Sequence, residues 1–313
     1  MKKLLRNYWI IGALLGCLAS CSDTEPEDIH YTPATETGRT LMTKCDEMVR
    51  MFADTTFVVA LGVEETDLHF QVRSGYVVRA YLLRVDLNTP GLQLRVAMPD
   101  DSNDIAGGWK KQTLTDMAAT HDASGARVVA MINGDFWDTS TTLPRGPVHR
   151  NGFVVSDRFN FTPTVPQQAL SFIAIQDDGK MIIADSAKYR TYRPRLKEVT
   201  GSGVILLNDG IFPGTQYTAR DPRTSVGYTD DGIVYMLTVD GRQTFYSYGM
   251  TYSEMASFFQ ALGCTGAANL DGGGSAQMLI RNPVAQIFQI RNRPADKAER
   301  AVINGWMVTV DEP

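Results

Sequence analysis

The sequence predicts an α+β fold: one domain with a mixed, largely antiparallel sheet flanked by a few helices. Three observations carry that expectation. Short alternating or apolar runs recur along the chain between Asp-Asp-Gly and Pro-Gly turns. Two segments have clear helical spacing. Regular strand–helix–strand alternation is absent, which argues against a doubly wound nucleotide-binding fold. The 313 residues are 43% hydrophobic, enough for one substantial core.

At the N-terminus, Lys2, Lys3 and Arg6 precede an apolar run from Tyr8 to Ala19 that is too short to span a bilayer. Residues 1–20 therefore read as a signal peptide. Leu18-Ala19-Ser20-Cys21 resembles a bacterial lipobox, which implies cleavage before Cys21 and acylation of its thiol; the plainer alternative is a signal peptide with an incidental cysteine. Residues 21–40 are polar and poor in large apolar side chains, so they are expected to be a flexible, lipid-anchored tether. Together these features place the protein in the bacterial cell envelope as an outer-membrane lipoprotein, with the lipid its only membrane contact. The acids after Cys21 resemble a surface-export signal. The folded domain is expected over residues 41–313. Within it Cys45 and Cys264 are compatible with a disulfide or with two buried thiols.

Residues 56–64, 69–73, 76–87 and 92–100 read as strands. The turn Asn88-Thr89-Pro90-Gly91 should join the last two into a hairpin. Gln112 to Ala123 has Leu114, Met117 and Ala118 at helical spacing. The continuous apolar run Val128 to Ile132 fits a strand buried on both faces. Residues 169–185 and 224–241 each carry an Asp-Asp-Gly turn between alternating strands, a hairpin signature. From Thr251 a capping box with Glu254 opens a helix whose stripe is Met255, Phe258, Phe259 and Leu262; Gly263 ends it. A short apolar strand then runs into Asn269-Leu270-Asp271-Gly272-Gly273-Gly274-Ser275, and residues 300–310 hold a last strand.

The net charge is −5 and the basic residues look scattered, so no nucleic-acid partner is expected. Polar corners stand where apolar strands end: Asn133-Gly134-Asp135-Phe136, Arg145-Gly146 with His149-Arg150, Arg220 to Thr224, Asp240-Gly241-Arg242, Asn269 to Ser275, and Glu299-Arg300. None of the four histidines, His30, His69, His121 and His149, neighbours another or a cysteine in sequence. A His-Glu-x-x-His zinc site and an EF-hand are thus absent from the sequence. Ser275 lacks a nucleophile-elbow setting, and no Lys-Ser/Thr follows the glycines to make a phosphate loop. What remains is carboxylate chemistry on a substrate held by arginines, an anionic sugar or a phosphate ester. Each corner has a plainer account: Asp135 and Asp240 suit turns, Arg220 and Arg223 suit a surface, and His149 suits a structural or rim role. Asp271 is the strongest candidate, because a buried strand delivers it and three glycines permit close approach.

The blocks "INGDFW", "RDPRTSVGYTDDGIVYMLTVDGR", "TYSEMASFFQALGCTGAANLDGGGSAQM" and "ERAVINGWMV" stand in the order and spacing of the phosphodiester glycosidase family, which the chain resembles from about Ala126 onward. The resemblance implies hydrolysis of a sugar-1-phosphodiester on its glycosidic side, releasing sugar and a phosphomonoester. No cofactor is then required. Arg223, helped by Arg300 or Arg220, would hold phosphate through paired hydrogen bonds. Asp271 would be the leading carboxylate, with Asp135, Asp240 and Glu299 competing for the second acidic role. Asn133, Thr224, Asn269 and Ser275 would contact sugar or phosphate, and Gly272, Gly273 and Gly274 would bring backbone N–H groups to the anion. The family's first motif usually reads Asn-Gly-Gly-Tyr-Phe; here Asp135 replaces a glycine, while Ser247-Tyr248-Gly249-Met250-Thr251 keeps the family's Ser-x-Gly-hydrophobic-Thr run. The implied partner is a phosphorylated glycan or sugar-1-phosphodiester. Two other readings stay open: a glycan-binding lipoprotein without turnover, and cleavage at phosphorus by a divalent ion held between carboxylates such as Asp135 and Asp271.

Overall fold

The computed structural model describes residues 31–311; the signal segment and Cys21 lie outside the described residues. The chain begins with helix α1 (Glu36–Lys44) and a long ribbon of β1 (Met48–Ala60) and β2 (Val63–Val72), followed by β3 (Val77–Asp86), β4 (Leu92–Ala97), α2 (Leu114–Ala123) and β5 (Val128–Asn133). Next come β6 (Val148–Arg150), β7 (Phe153–Ser156), β8 (Ser171–Gln176), β9 (Met181–Asp185), α3 (Tyr189–Tyr192), β10 (Leu196–Ser202) and β11 (Ile205–Leu207). The last part holds β12 (Arg223–Tyr228), β13 (Ile233–Val239), α4 (Tyr252–Ala261), β14 (Gly266–Asn269), β15 (Met278–Arg281), β16 (Phe288–Ile290) and β17 (Gly305–Val310).

These strands form three sheets, ordered β1-β2-β3-β13-β12-β14-β11, β16-β15-β5-β17-β4 and β7-β6-β10-β8-β9. The pairings among the described strands are antiparallel, as in the central β3–β13, β12–β14 and β5–β17 ladders. The expected single sheet is thus divided into three, and the α+β class holds. All three sheets contribute to one core, in which Val226 and Met236 meet Ile132 and Trp306 from the second sheet and Val148 and Ile173 from the third. Helices α1 and α4 cover the other face of the first sheet through Leu41, Met255, Phe258 and Phe259. Full burial of each such side chain contributes about 1.5–3 kcal/mol. Helix α2 covers the second sheet through Leu114 and Met117 against Met131 and Met307.

Several expectations from sequence change. The hairpin expected across Asn88–Gly91 does not form: β3 pairs with β2 and β13, whereas β4 pairs with β17 in another sheet. The turn exists, with Thr89 N–H bonded to the Asp86 carbonyl and Leu92 N–H to Thr89, but it carries the chain between sheets. The strand expected over 56–64 contains the β1–β2 hairpin turn at Leu61-Gly62, where Gly62 has a φ of +76°. The expected tether is also too long at its C-terminal end. Residues 31–40 belong to the fold, because the buried Asp54 carboxylate receives the N–H groups of Ala34 and Thr35 and the hydroxyls of Thr35 and Tyr31. Cys45 and Cys264 are buried free thiols, and Cys45 Sγ lies 3.5 Å from Ser257 Oγ.

Candidate active site

Two strand ends create the site. Strand β5 delivers Asn133-Gly134-Asp135 and β14 delivers Asn269-Leu270-Asp271, and backbone bonds lock them: Asp271 N–H to the Gly134 carbonyl at 3.1 Å and Leu270 N–H to Thr224 at 2.8 Å. Asn133 is the central tie. Its Nδ2 donates to the Asp271 carbonyl at 2.7 Å, while its Oδ1 accepts from Thr224 Oγ1 at 2.6 Å and Gln277 N–H at 3.1 Å. Asn133 and Thr224 are fully buried, so they brace the corner rather than touch a sugar.

Asp135 is buried behind this frame. Its N–H donates to Asn304 Oδ1 at 2.8 Å, and its Oδ2 accepts from Gly146 N–H at 2.7 Å. Its Oδ1 has no partner. Gly201 makes room for the carboxylate, since a β-carbon there would stand 2.6 and 2.7 Å from its two oxygens. Burial pushes the Asp135 carboxyl well above the usual carboxylate range; the Gly146 amide opposes this and the Asp271 charge reinforces it.

Asp271 sits half-buried on the glycine turn. Burial raises its carboxyl to about 6 against the opposing effects of Ser275, Arg300, the Gly272 amide and Arg242. The three glycines serve different contacts. A β-carbon on Gly272 would stand 2.5 Å from the Pro222 carbonyl, Gly273 has a φ of +60° and lies under the Arg242 guanidinium, and Gly274 lies directly under that of Arg300. The glycines therefore bring two arginines down beside Asp271. The amides of Gly272 and Gly273 are already bonded to Asp271 Oδ1 and the Pro222 carbonyl, which takes two of the three glycine N–H groups out of the expected cradle. Arg242 is held by Asp221 through two bonds of 2.7 and 3.0 Å, and Arg300 by Asp296 at 2.7 Å with a longer bond of 3.4 Å to Ser275 Oγ. Each keeps N–H groups for an anion, and the Arg242 side chain is 55% exposed.

The corner thus gathers Asp271, Asp135, Asn133, Thr224, Asn269, Ser275, Arg300 and the three glycines. Asn269 is buried with its Oδ1 unpartnered. Five expected site residues are committed elsewhere. Arg223 is buried, donates to the carbonyls of Met250 and Ala219 and to Tyr252 Oη, and stacks 4.2 Å from the Tyr252 ring. Arg220 pairs with Glu254 and the Gly249 carbonyl, which ties it to the cap of α4. Glu299 accepts from the N–H and hydroxyl of Thr115 in the first turn of α2. Asp240 accepts from Asn292 Nδ2 and Arg293 N–H, with burial raising it to about 6. His149 is buried, its Nε2 2.7 Å from Tyr189 Oη in the third sheet. Arg242 and Asn304 were missed as site residues. Arg242 stood in the Asp240-Gly241-Arg242 corner, and Asn304 stands in a second Ile-Asn-Gly triplet on β5's neighbour, where Gly305 pairs with Asn133. Among the described residues, no three His, Cys, Asp or Glu side chains gather as a group able to hold a metal ion.

This arrangement defines a carboxylate pair flanked by arginines on an antiparallel scaffold. Residues 126–309 match the sequence pattern of the phosphodiester glycosidase family, and the chain belongs to that family. The SPbeta prophage-derived uncharacterized protein YomE of Bacillus subtilis (strain 168) is 38% identical over 214 residues, 66% of this chain and 31% of that protein, so the match spans about a third of that relative. Among solved structures, the catalytic domain of zebrafish N-acetylglucosamine-1-phosphodiester alpha-N-acetylglucosaminidase, auto-inhibited by its pro-peptide, aligns with a TM-score of 0.62 at 18% identity, covering 83% of this chain and 88% of that one. A hypothetical protein from Synechocystis aligns with a TM-score of 0.60 at 15% identity, over 82% of this chain and 64% of that one. These two likenesses show a shared fold.

Proposed function

We propose that this protein hydrolyses the glycosidic bond of a sugar-1-phosphodiester, releasing sugar and a phosphomonoester. The observation that carries the reading is Asp271 seated between Arg242 and Arg300 with the buried acid Asp135 behind it. The two guanidinium groups suit the phosphate oxygens, on which negative charge builds as the bond to the anomeric carbon breaks. A phosphate leaving group of this kind needs little proton donation. Asp271, ionised above about pH 6, is the carboxylate that attacks the anomeric carbon or activates water against it. Burial favours the neutral form of Asp135, whose Oδ2 accepts from Gly146 while Oδ1 has no partner.

The test is release of sugar from a panel of chromogenic sugar-1-phosphodiesters. Asp271→Asn should remain folded and lose about 10²–10⁴-fold in kcat/KM. The wild-type rate should rise with pH through about 6, and the variant should lack that limb. In water labelled with heavy oxygen, the label should enter the sugar; label in the phosphate would instead mean cleavage at phosphorus. Full activity in Asp271→Asn would remove the assignment. We also propose that the protein works at the bacterial envelope through an acylated Cys21. Labelled palmitate should be incorporated into wild-type cells and not into Cys21→Ser; equal labelling would refute the anchor.

A further inference from the structure

Residues 188–197, Lys-Tyr-Arg-Thr-Tyr-Arg-Pro-Arg-Leu-Lys, place five basic residues together in a chain whose net charge is −5. The scattered distribution expected from composition fails here. The run covers α3 and the turn into β10, and two of its arginines, Arg190 and Arg193, join Arg158 around a cavity of about 820 Å³. Among the described residues Asp157 is the one acidic side chain lining it, and it lies 3.5 Å from Arg193. Arg158 and Arg190 have no side-chain hydrogen bond or ion pair among the described residues. Arg195 from the same run differs, since Asp177 and Asp178 hold it.

The wall carrying these arginines is fixed from beneath. Tyr189 is buried, meets the rings of Phe159 and Phe172 edge-on at 5.6 Å, and bonds His149. A short run of chain and hydrogen bonds also joins the cavity's lining to the corner at Asp135. Asn160, on its lining, donates through Nδ2 to the Pro144 carbonyl at 2.6 Å and through its N–H to the Arg145 carbonyl at 2.8 Å. The next residue, Gly146, gives its N–H to Asp135.

Unpaired guanidinium groups around a concave pocket suit phosphate oxygens, which they bind with paired N–H bonds. We infer that this cavity is a second phosphate subsite, which takes a neighbouring phosphate of an anionic glycan built from phosphodiester-linked sugar repeats. The inference rests on the proposed function for the position of the scissile bond at Asp271. It adds that the substrate is a polymer, held at two phosphates.

The experiment measures equilibrium binding to the full-length Asp271→Asn protein, where turnover is removed. The probes are a linear glycan of several phosphodiester-linked hexose repeats and its single-repeat fragment. The longer probe should bind on the order of tenfold more tightly, a difference of about 1.4 kcal/mol. Combining Arg158→Gln with Arg190→Gln should abolish that gain, whereas Arg195→Gln should keep it. Equal affinity for the two probes, or a gain that survives the double variant, would overturn the subsite. So would binding that depends on Arg158 and Arg190 only for acidic phospholipid vesicles or for a DNA duplex. Sugar release from a small chromogenic diester decides the glycosidase reading separately, so either idea can fail alone.

Discussion

Gly272 and Gly274 are neighbours in a single turn, yet replacing them should produce different defects. A β-carbon at Gly272 meets a backbone carbonyl, Pro222, which cannot move without displacing the start of β12. At Gly274 the obstacle is the far end of Arg300, with Asp296 beside it, and that side chain can swing away. Gly272→Ala should therefore lower stability by about 1–3 kcal/mol. Gly274→Ala should melt close to wild type and lose activity because Arg300 leaves Asp271. Thermal melts paired with kcat/KM on a chromogenic diester separate the two; a Gly274→Ala protein with wild-type rates would show that Arg300 is not a substrate contact. The same residues explain what sequence could reveal about the site. Asp271 was legible because a glycine run after a buried strand is a local signal. The choice of arginine was not, because it depends on which partners consume each guanidinium. Arg223 looked suitable beside Pro222, but Met250, Ala219 and Tyr252 take its N–H groups. Arg242 remains available because Asp221 grips one edge only.

At the scale of elements, α1 is held to the domain by the buried Leu41 and, at its N-terminus, by one carboxylate. Asp54, on β1, collects donors from Tyr31, Ala34 and Thr35, and Thr35 caps the helix through Gly38. Burial raises its carboxyl, but the Thr35 hydroxyl and the Ala34 and Thr35 amides outweigh it, so the folded value lies below the usual 3.8. Its contribution is therefore complete above that value and lost as pH falls through the folded one. Asp54→Ala should cost about 2 kcal/mol by leaving buried donors unpaired. Hydrogen exchange should show residues 36–44 losing protection while β12 and β14 keep theirs; unchanged protection in α1 would contradict the assigned anchor. Sequence missed this contact because its donors and acceptor are some twenty residues apart, and a polar segment reads as a tether until its acceptor is known. By contrast, the Asp-Asp-Gly hairpins β8–β9 and β12–β13 formed where expected, since their turn and both strands are contiguous. Asn88–Gly91 has equally good turn chemistry. A turn fixes only the local reversal, and β4 pairs with the edge of β17 that β5 leaves open.

Over the whole molecule, a core shared by three sheets leaves few places for charge, and Glu65 shows the consequence. It is completely buried on β2, with Oε2 accepting from Arg291 Nε at 2.8 Å. Arg291 also reaches Asp67 at 2.8 Å, while Glu65 Oε1 and Asp67 Oδ1 are buried without a hydrogen-bond partner of their own. Burial, and then the Asp67 hydrogen bond, raise the Glu65 carboxyl from 4.5 to about 9. The folded chain thus holds a proton that the unfolded chain has released across that window. Stability from this group is complete below about 4.5 and declines as pH rises toward 9. Glu65→Gln replaces the proton with a permanent amide N–H aimed at Asp67 and keeps a carbonyl for Arg291. The variant should melt higher than wild type near neutral pH, and its melting temperature should fall less between about pH 5 and about pH 8. The raised carboxyls of Asp240 and Asp271 remain in both proteins, so the difference in slope isolates Glu65. Identical slopes would mean that Glu65 is ionised in the fold and that Arg291 alone balances it. A shallower slope would identify this acid pair as a source of alkaline sensitivity lying outside the candidate site at Asp271.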